Sequence, residues 1–368
     1  MKILQIINSL EGGGAERLVT QLASYLNEKN YVCHVIILSK ENEIYLKTLI
    51  NANVSVFISP YNSLFDIRIF FFILKIIKYG KYDIVHAHLF PVIYWTSLVG
   101  LFLNKKIKLF MTEHNTFNKR RKKKWLRHIE YFIYKRYDII ISISEGVRDE
   151  LMKWIEPNKD IESRYITINN GINVIEYVKA TPYQRSDFNI PIDTVLLGMI
   201  GSFTEQKNHI GLVQAMRYMP ENIHIVFAGS GVLEEQIKKI TIKYGLAERI
   251  HFLGFINDIA RLIKMIDIVV IPSLWEGFGL IAAEAMACGK PIAASNVSGL
   301  RDVLYNCAEF FNPMITKDIV KSILKLVNDK QYCDVLIKKA ISKSKNYDVV
   351  TMIDSYVKIY CNKLSVYI

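Results

Sequence analysis

Short apolar runs alternate with longer amphipathic ones along most of this chain. Ile3–Ile7 predicts a strand, and Ala15–Asn27, with Leu18, Leu22 and Leu26 on one face, predicts a helix. Val32–Leu38 and Val54–Ile58 read as further strands. Phe65–Tyr79 reads as a helix leading into a strand at Asp83–Ala87. Val92–Phe102 reads as another helix and Lys108–Thr112 as a strand. A basic helix over Lys122–Lys135 then precedes the strand Asp138–Ser142. This strand–helix alternation implies a doubly wound parallel sheet.

The second half restarts the pattern. A polar, proline-marked stretch from Lys179 to Asp193 is the best linker. Strands follow at Val195–Ile200, His224–Ala228, Ile250–Leu253, Ile268–Pro272 and Pro291–Ala294, with helices between them. The chain ends on an amphipathic helix from about Asn346 to Leu364. The expectation is an α/β protein of two similar halves around one cleft, residues 1–180 and 181–345. A terminal helix, 346–368, is expected to pack back on the first half. At 368 residues the chain exceeds one ordinary core, which agrees with two domains.

One junction carries candidate chemistry. The apolar run Ile266–Pro272 is followed by S-L-W-E-G-F-G-L-I-A-A-E-A-M-A-C-G-K-P, Ser273 to Pro291. It reads as a buried strand, a Gly-rich turn and a short Ala-rich helix that Gly289 and Pro291 stop. Such a turn aims backbone N–H groups and the positive end of a helix dipole at an anion. Glu276 stands at its mouth, and Glu284 lies about one turn into the helix. A phosphate-binding turn flanked by hydroxyl-binding acids suits a sugar nucleotide. The same pattern also serves as a plain helix start, with Glu276 as a solvated turn residue.

Composition narrows the setting. With 51% hydrophobic residues the chain can fill two cores, and no segment offers the ~20 uninterrupted apolar residues of a membrane span. The stretch that comes nearest, Ile67–Ile77, is broken by Arg68 and Lys75. The N-terminus lacks the features of a secretory signal. The five cysteines are scattered, which suggests a reducing, cytoplasmic compartment and no zinc site. The net charge of +12 is uneven: residues 1–180 carry 26 Lys and Arg against 17 Asp and Glu, residues 181–368 carry 21 against 18. The densest run is Lys119, Arg120, Arg121, Lys122, Lys123 and Lys124, followed by Trp125. It suits a solvated loop, a nucleic acid, an acidic substrate or an anionic lipid surface. Trp125, Leu126, Ile129, Tyr131 and Phe132 beside it favour a membrane interface.

Eight short motifs, in order along nearly the whole chain, carry a family resemblance. They are G-G-G-A-E-R at Gly12–Arg17, H-A-H at His86–His88, T-E-H-N at Thr112–Asn115, S-E-G-V at Ser144–Val147 and N-N-G-I-N at Asn169–Asn173. G-S-F-T-E-Q-K-N at Gly201–Asn208, G-S-G at Gly229–Gly231 and the Glu-x7-Glu pair, Glu276 and Glu284, complete the set. The chain resembles the family 4 retaining glycosyltransferases, whose GT-B fold has two Rossmann-like domains facing a central cleft. The resemblance implies an acceptor-side N-terminal domain and a nucleotide-sugar-binding C-terminal domain. It implies transfer of a sugar, of the hexosyl type, from a nucleoside-diphosphate sugar, expected to be a UDP-sugar, to an acceptor hydroxyl. The expected setting is capsule or O-antigen polysaccharide biosynthesis, on a glycan or glycolipid acceptor at the inner face of the cell membrane.

Residue by residue, Lys207 matches the family's phosphate lysine, and the backbone amides of Gly277, Phe278, Gly279 and Leu280 offer a second cradle for the leaving diphosphate, where developing charge needs fixed positive groups. Many relatives have an arginine where this chain has Ser202, which can give only a neutral hydrogen bond. Gly13 and Gly14 match a loop that reaches toward the donor phosphates; Glu16 and Arg17 follow it in the first helical turn. Glu284 matches the acid that binds ribose hydroxyls, and Glu276 the one near the donor sugar. His114 matches the histidine that contacts the donor sugar near the reacting centre; its alternative is a structural strand cap. His86 and His88 read as strand-end residues, with His88 lining the acceptor side. No Asp-x-Asp motif is present, and neither metal nor cofactor is expected. Retention of configuration comes from the resemblance alone, and a front-face reaction fits the absence of an evident nucleophile.

Two other readings compete. A sugar-nucleotide epimerase shares the fold but would act on the donor without any acceptor. A nucleic-acid binder would explain the basic run yet leave Lys207, Glu276 and Glu284 without a role, so no nucleic acid is expected as a partner.

Overall fold

The computed structural model describes residues 1–39, 44–156 and 162–364. The chain divides into two compact units, one of Met1–Asn170 joined by the chain from Val349 onward, the other of Gly171–Asp348.

The first unit is built on seven strands: β1 (Lys2–Ile7), β2 (Val32–Ile37), β3 (Ser55–Ile58), β4 (Ile84–His88), β5 (Lys108–Glu113), β6 (Ile139–Ser142) and β7 (Tyr165–Thr167). All pair in parallel, in the order β3-β2-β1-β4-β5-β6-β7. Every residue of β4, β5 and β6 is buried, as a sheet covered by helices on both faces requires. Leu4, Ile6, Ile73, Val85, Met111 and Tyr134 belong to one apolar cluster that fills this unit.

The second unit repeats the plan with six strands: β8 (Val195–Ile200), β9 (Ile223–Ala228), β10 (Ile250–Gly254), β11 (Ile268–Ile271), β12 (Ile292–Ser295) and β13 (Glu309–Phe311). They too are all parallel, in the order β10-β9-β8-β11-β12-β13. Both sheets reverse direction of build once, between β1 and β4 in one and between β8 and β11 in the other. Connections leave opposite faces of the sheet at such a point, which opens a crevice at the C-terminal ends of the two strands.

Several boundaries differ from the sequence reading. The first unit ends at Asn170, not near residue 180, because the helix Val174–Lys179 sends Tyr177 into the second unit's interior. The last helix runs Val349–Leu364 and belongs to the first unit, where it buries Met352, Ile353, Tyr356 and Tyr360; the preceding Lys345–Tyr347 is a separate 3-10 turn. The helix expected from Val92 to Phe102 is α-helical only to Val99 and tightens to 3-10 geometry over Gly100–Phe102. The basic helix starts at Leu126 and ends at Tyr134. Lys119–Lys122 forms a separate 3-10 turn, capped by the Asn118 side chain accepting from the Arg120 N–H. The short strands β7 and β13 and the helix Leu46–Asn51 lie at the edges and went unread in the sequence.

Among the described residues no helix is long and apolar enough to cross a membrane. All five cysteines are free thiols.

Candidate active site

The crevice between β8 and β11 collects most of the sequence-nominated chemistry of the second unit. After β8 the chain passes Gly201 and an exposed Ser202 into the 3-10 turn Glu205–Lys207. After β11 it passes Pro272 into the turn that holds Glu276. Main-chain and side-chain bonds tie the two loops together. Leu274 N–H donates to Gln206 O (2.8 Å), Gln206 Nε2 donates to Trp275 O (2.9 Å), and Asn208 Nδ2 donates to Pro272 O (3.2 Å).

That frame brings Lys207 onto Glu276. The ammonium lies 2.5 Å from Glu276 Oε1, which also accepts from the Ser273 hydroxyl at 2.8 Å. Glu276 is only 6% exposed, so its charge sits in a low-dielectric setting where a paired cation matters most. Ser273 and Gln206 stand within the quoted motifs but carry no role of their own in the sequence reading, although the spacing Ser273-x-x-Glu276 is a local signal for the first of them.

The turn itself depends on missing side chains. Gly279 adopts φ +77°, where an L side chain is strained, and starts the helix Leu280–Ala287. Gly299, on the next helix, lies so close that an added Cβ would fall 2.3 Å from Glu276 O and 2.7 Å from Gly277 O. This approach sets the course of the turn. Gly277, Phe278 and Gly279 are buried and Leu280 is half-buried, and the Phe278 ring sits edge-on to Tyr347 at 5.3 Å between centroids. The first-turn amides of Leu280 and Ile281 have no acceptor within their own helix, the arrangement that favours an anion.

Glu284 lies one turn further along. Ile281 to Ala287 are all buried, and the run of alanines lets neighbouring helices approach closely. Tyr177 donates its hydroxyl to Glu284 Oε1 at 2.6 Å, which orients a carboxylate that is 5% exposed. No local signal pointed to Tyr177; the two residues are 107 positions apart.

In the first unit, Gly13 and Gly14 follow β1 and open the helix Gly14–Glu28. An added Cβ on Gly13 would meet the Glu16 carboxylate at 2.2 Å, and burial raises the Glu16 pKa above its usual value. His114 follows β5 and is almost wholly buried, and desolvation lowers its pKa to about 3. Its Nε2 lies 3.2 Å from His88 Nδ1, while its Nδ1 is buried with no hydrogen-bonding partner among the described residues. His88, expected to line the acceptor side, is instead fully buried: the pleat and the covering helix turn it inward, where Gln5 Oε1 meets its Nε2 at 2.8 Å. His86 is equally buried. Burial pushes both imidazoles well below their usual pKa. Among the described residues no group of three or more His, Cys, Asp or Glu is arranged to hold a metal ion.

The basic run divides into a paired part and an exposed part. Arg120 pairs with the fully buried Glu130 (3.3 Å) and lies 4.0 Å over the Phe90 ring; Arg121 pairs with Glu113 (3.2 Å). These two arginines anchor the loop and are not an open cationic surface, because each supplies the cation for a buried carboxylate that otherwise has, among the described residues, only neutral donors: Tyr94 and Trp154 at Glu130, Tyr134 and the Asn115 N–H at Glu113. Lys122, Lys123 and Lys124 are exposed. So are Trp125 (61%), Ile129 and Phe132 (67%), three or four residues apart and therefore on one outward helical face.

Comparison with known proteins places this geometry. Residues 12–175 match the model of the family described as Glycosyltransferase Family 4, and residues 181–343 match that described as Glycosyl transferases group 1. This chain is a family 4 glycosyltransferase. An uncharacterized glycosyltransferase of Methanocaldococcus jannaschii is 29% identical over 248 residues, 63% of this chain and 62% of that protein. The Escherichia coli UDP-Gal:alpha-D-GlcNAc-diphosphoundecaprenol alpha-1,3-galactosyltransferase is 25% identical over 320 residues, 80% of this chain and 79% of that one. Among solved structures, Anabaena HepE in complex with UDP and glucose superposes with a TM-score of 0.85 at 19% identity, covering 98% of this chain and all of that one. The fold of this glycosyltransferase is therefore GT-B: two Rossmann-like parallel-sheet domains.

Proposed function

We propose that this glycosyltransferase moves a hexosyl group from a UDP-sugar to a hydroxyl of a lipid-linked or surface-polysaccharide acceptor, with retention of configuration and without a metal ion. The observation that carries the reading is the Lys207–Glu276 pair at the β8/β11 crevice, with a helix N-terminus and Glu284 beside it. The diphosphate takes the ammonium of Lys207 and the first-turn amides after Gly279; Glu284, oriented by Tyr177, accepts from the ribose hydroxyls; Glu276 accepts from the donor sugar. The named E. coli relative uses a UDP-sugar and HepE was solved with UDP, which favours uridine as the base.

In the reaction the bond from the anomeric carbon to the diphosphate oxygen breaks and a bond to the acceptor oxygen forms on the same face. The acceptor proton passes to the departing phosphate. Lys207 stabilises the charge that grows there, the kind of contribution that weighs most in group transfer from a nucleoside diphosphate. His114 contacts the donor sugar.

The acceptor side is assigned to an anionic membrane at the cytoplasmic face. Lys122, Lys123 and Lys124 supply charge beside the exposed Trp125, Ile129 and Phe132, a combination that suits a peripheral membrane contact.

Incubation with UDP-sugars, with and without a polyprenyl-diphosphate-linked sugar, tests the reading. Transfer only in the presence of acceptor supports it. Conversion of the donor alone into its epimer would make the protein an epimerase instead.

A further inference from the structure

The core of the first unit carries an expensive feature. Gln5 on β1, His86 and His88 on β4, and Thr112 on β5 lie side by side in register, Gln5 opposite His86 and His88 opposite Thr112. Tyr356 and Tyr360, one turn apart on the last helix, close over them. All six side chains are buried. Apolar residues would fill such a space at lower cost, so a polar network here requires full pairing of its groups.

The pairing has one consistent direction. A glutamine amide oxygen only accepts, so at 2.8 Å the His88 Nε2 donates to Gln5 Oε1. His88 is neutral, because desolvation holds its pKa far down, so its Nδ1 is a lone pair. The His114 Nε2, 3.2 Å away, must then donate to it. Neutral His114 is left with a lone pair on Nδ1, the atom that is buried and unpartnered. On the other arm, Gln5 Nε2 donates to the Tyr360 hydroxyl (3.2 Å), which donates to His86 Nδ1 (2.6 Å). The His86 Nε2–H donates to Thr112 Oγ1 (2.8 Å). Turning the Gln5 amide over would reverse every link. It would leave His114 with a buried Nδ1–H lacking an acceptor, and an orphaned buried donor is costlier than an orphaned lone pair.

We propose that Gln5 and Tyr360 are positioning residues: acting through His88, they hold His114 as the Nε2–H tautomer, so that its Nδ1 presents a lone pair to a substrate hydroxyl. The proposal rests on the reading of His114 as a sugar-contacting residue. It deepens that reading by fixing which nitrogen works and that it accepts. The matching group is a hydroxyl donor on the sugar; a carbonyl oxygen, which only accepts, is disfavoured at that point.

The tautomer can be read directly, with no substrate, from two-bond 1H–15N correlation spectra of protein labelled with 15N-histidine. The His114 signals are assigned by their loss in His114→Gln. The expected wild-type result is His114 protonated on Nε2 and bare on Nδ1. In Gln5→Met and Tyr360→Phe the amide constraint is gone, and His114 is expected as a mixture of tautomers. In both variants kcat/KM should fall roughly 5- to 10-fold, the loss of one aligned hydrogen bond. A wild-type His114 carrying its proton on Nδ1 overturns the proposal, and that arm needs no variant to fold. So does an unchanged tautomer in folded Gln5→Met and Tyr360→Phe. If wild type shows the expected tautomer yet His114→Gln transfers sugar at the wild-type rate, the relay stands and the catalytic reading of His114 falls.

Discussion

Lys207 reaches across from the loop after β8 to place its ammonium 2.5 Å from Glu276 Oε1 on the loop after β11. Cation and acid come from neighbouring parallel strands at the point where the sheet reverses its direction of build, so backbone topology, not chance surface pairing, brings them together. Without ligand each satisfies the other; a diphosphate would draw the ammonium toward itself.

Lys207→Met is therefore expected to lower kcat by about 10²–10³-fold, as removal of a principal charge-stabilising group does. Steady-state kinetics with a UDP-sugar check it. Glu276→Gln keeps the shape but weakens the pairing, and both kcat and the donor KM should change. Wild-type kinetics in both variants would remove the pair from the mechanism.

Tyr177 and Glu284 are separable from that pair. Tyr177→Phe leaves the carboxylate in place but removes its 2.6 Å donor. Nucleotide affinity should fall by a few-fold, with a stability loss of about 1 kcal/mol, the usual contribution of such a bond. Glu284→Gln should weaken UDP binding more strongly. Titration calorimetry with UDP ranks the two.

Gly299→Ala tests the shape of the turn. The new methyl group would press on the carbonyls of Glu276 and Gly277, which belong to the backbone and cannot rotate away. A loss of about 1–3 kcal/mol, typical of overpacking, is expected. Thermal melting measures it, and donor affinity should fall with it because the same carbonyls carry the site.

The buried imidazoles give a pH signature. His114, with its pKa lowered to about 3 by burial, is neutral when folded but takes up a proton near 6.5 when unfolded; His86, His88 and His209 shift in the same direction for the same reason. The unfolded chain binds more protons below pH 6.5, so stability is complete above that value. It declines as pH falls toward the folded values, by up to about 1.4 kcal/mol per pH unit for each histidine. Melting temperature should drop between pH 7 and pH 5. A flat profile would contradict neutral burial.

Replacing Lys122, Lys123 and Lys124 by glutamine should release the protein from anionic liposomes in flotation while leaving transfer to a soluble acceptor intact. Arg120→Gln, by contrast, should destabilise the fold, since it strands the buried Glu130 without its cation. Equal flotation of wild type and the triple variant would remove the lysines from the membrane contact.

Much of this was legible in the chain because parallel strands announce themselves. Ile268–Ile271 and Val195–Ile200 are apolar throughout, and the loops after them carry Glu276 and Lys207 in local motifs. Several motifs also proved to be structural. Ser144 caps its helix by accepting from Val147 N–H, and Asn208 caps another by accepting from Gly211 N–H. What stayed hidden depends on partners distant in sequence. Tyr177 meets Glu284, and Tyr360 meets Gln5 and His86, across 107, 355 and 274 positions, where no periodicity gives a signal. The roles of Arg120 and Arg121 were hidden for a related reason: a basic run reads as a surface until its buried acids are located.

The most direct measurement is calorimetric titration of UDP into wild type, Lys207→Met and Glu284→Gln. Binding that is measurable in wild type and at least tenfold weaker in both variants is the expected result. Equal affinity in all three would place the donor elsewhere and contradict the site at the β8/β11 crevice.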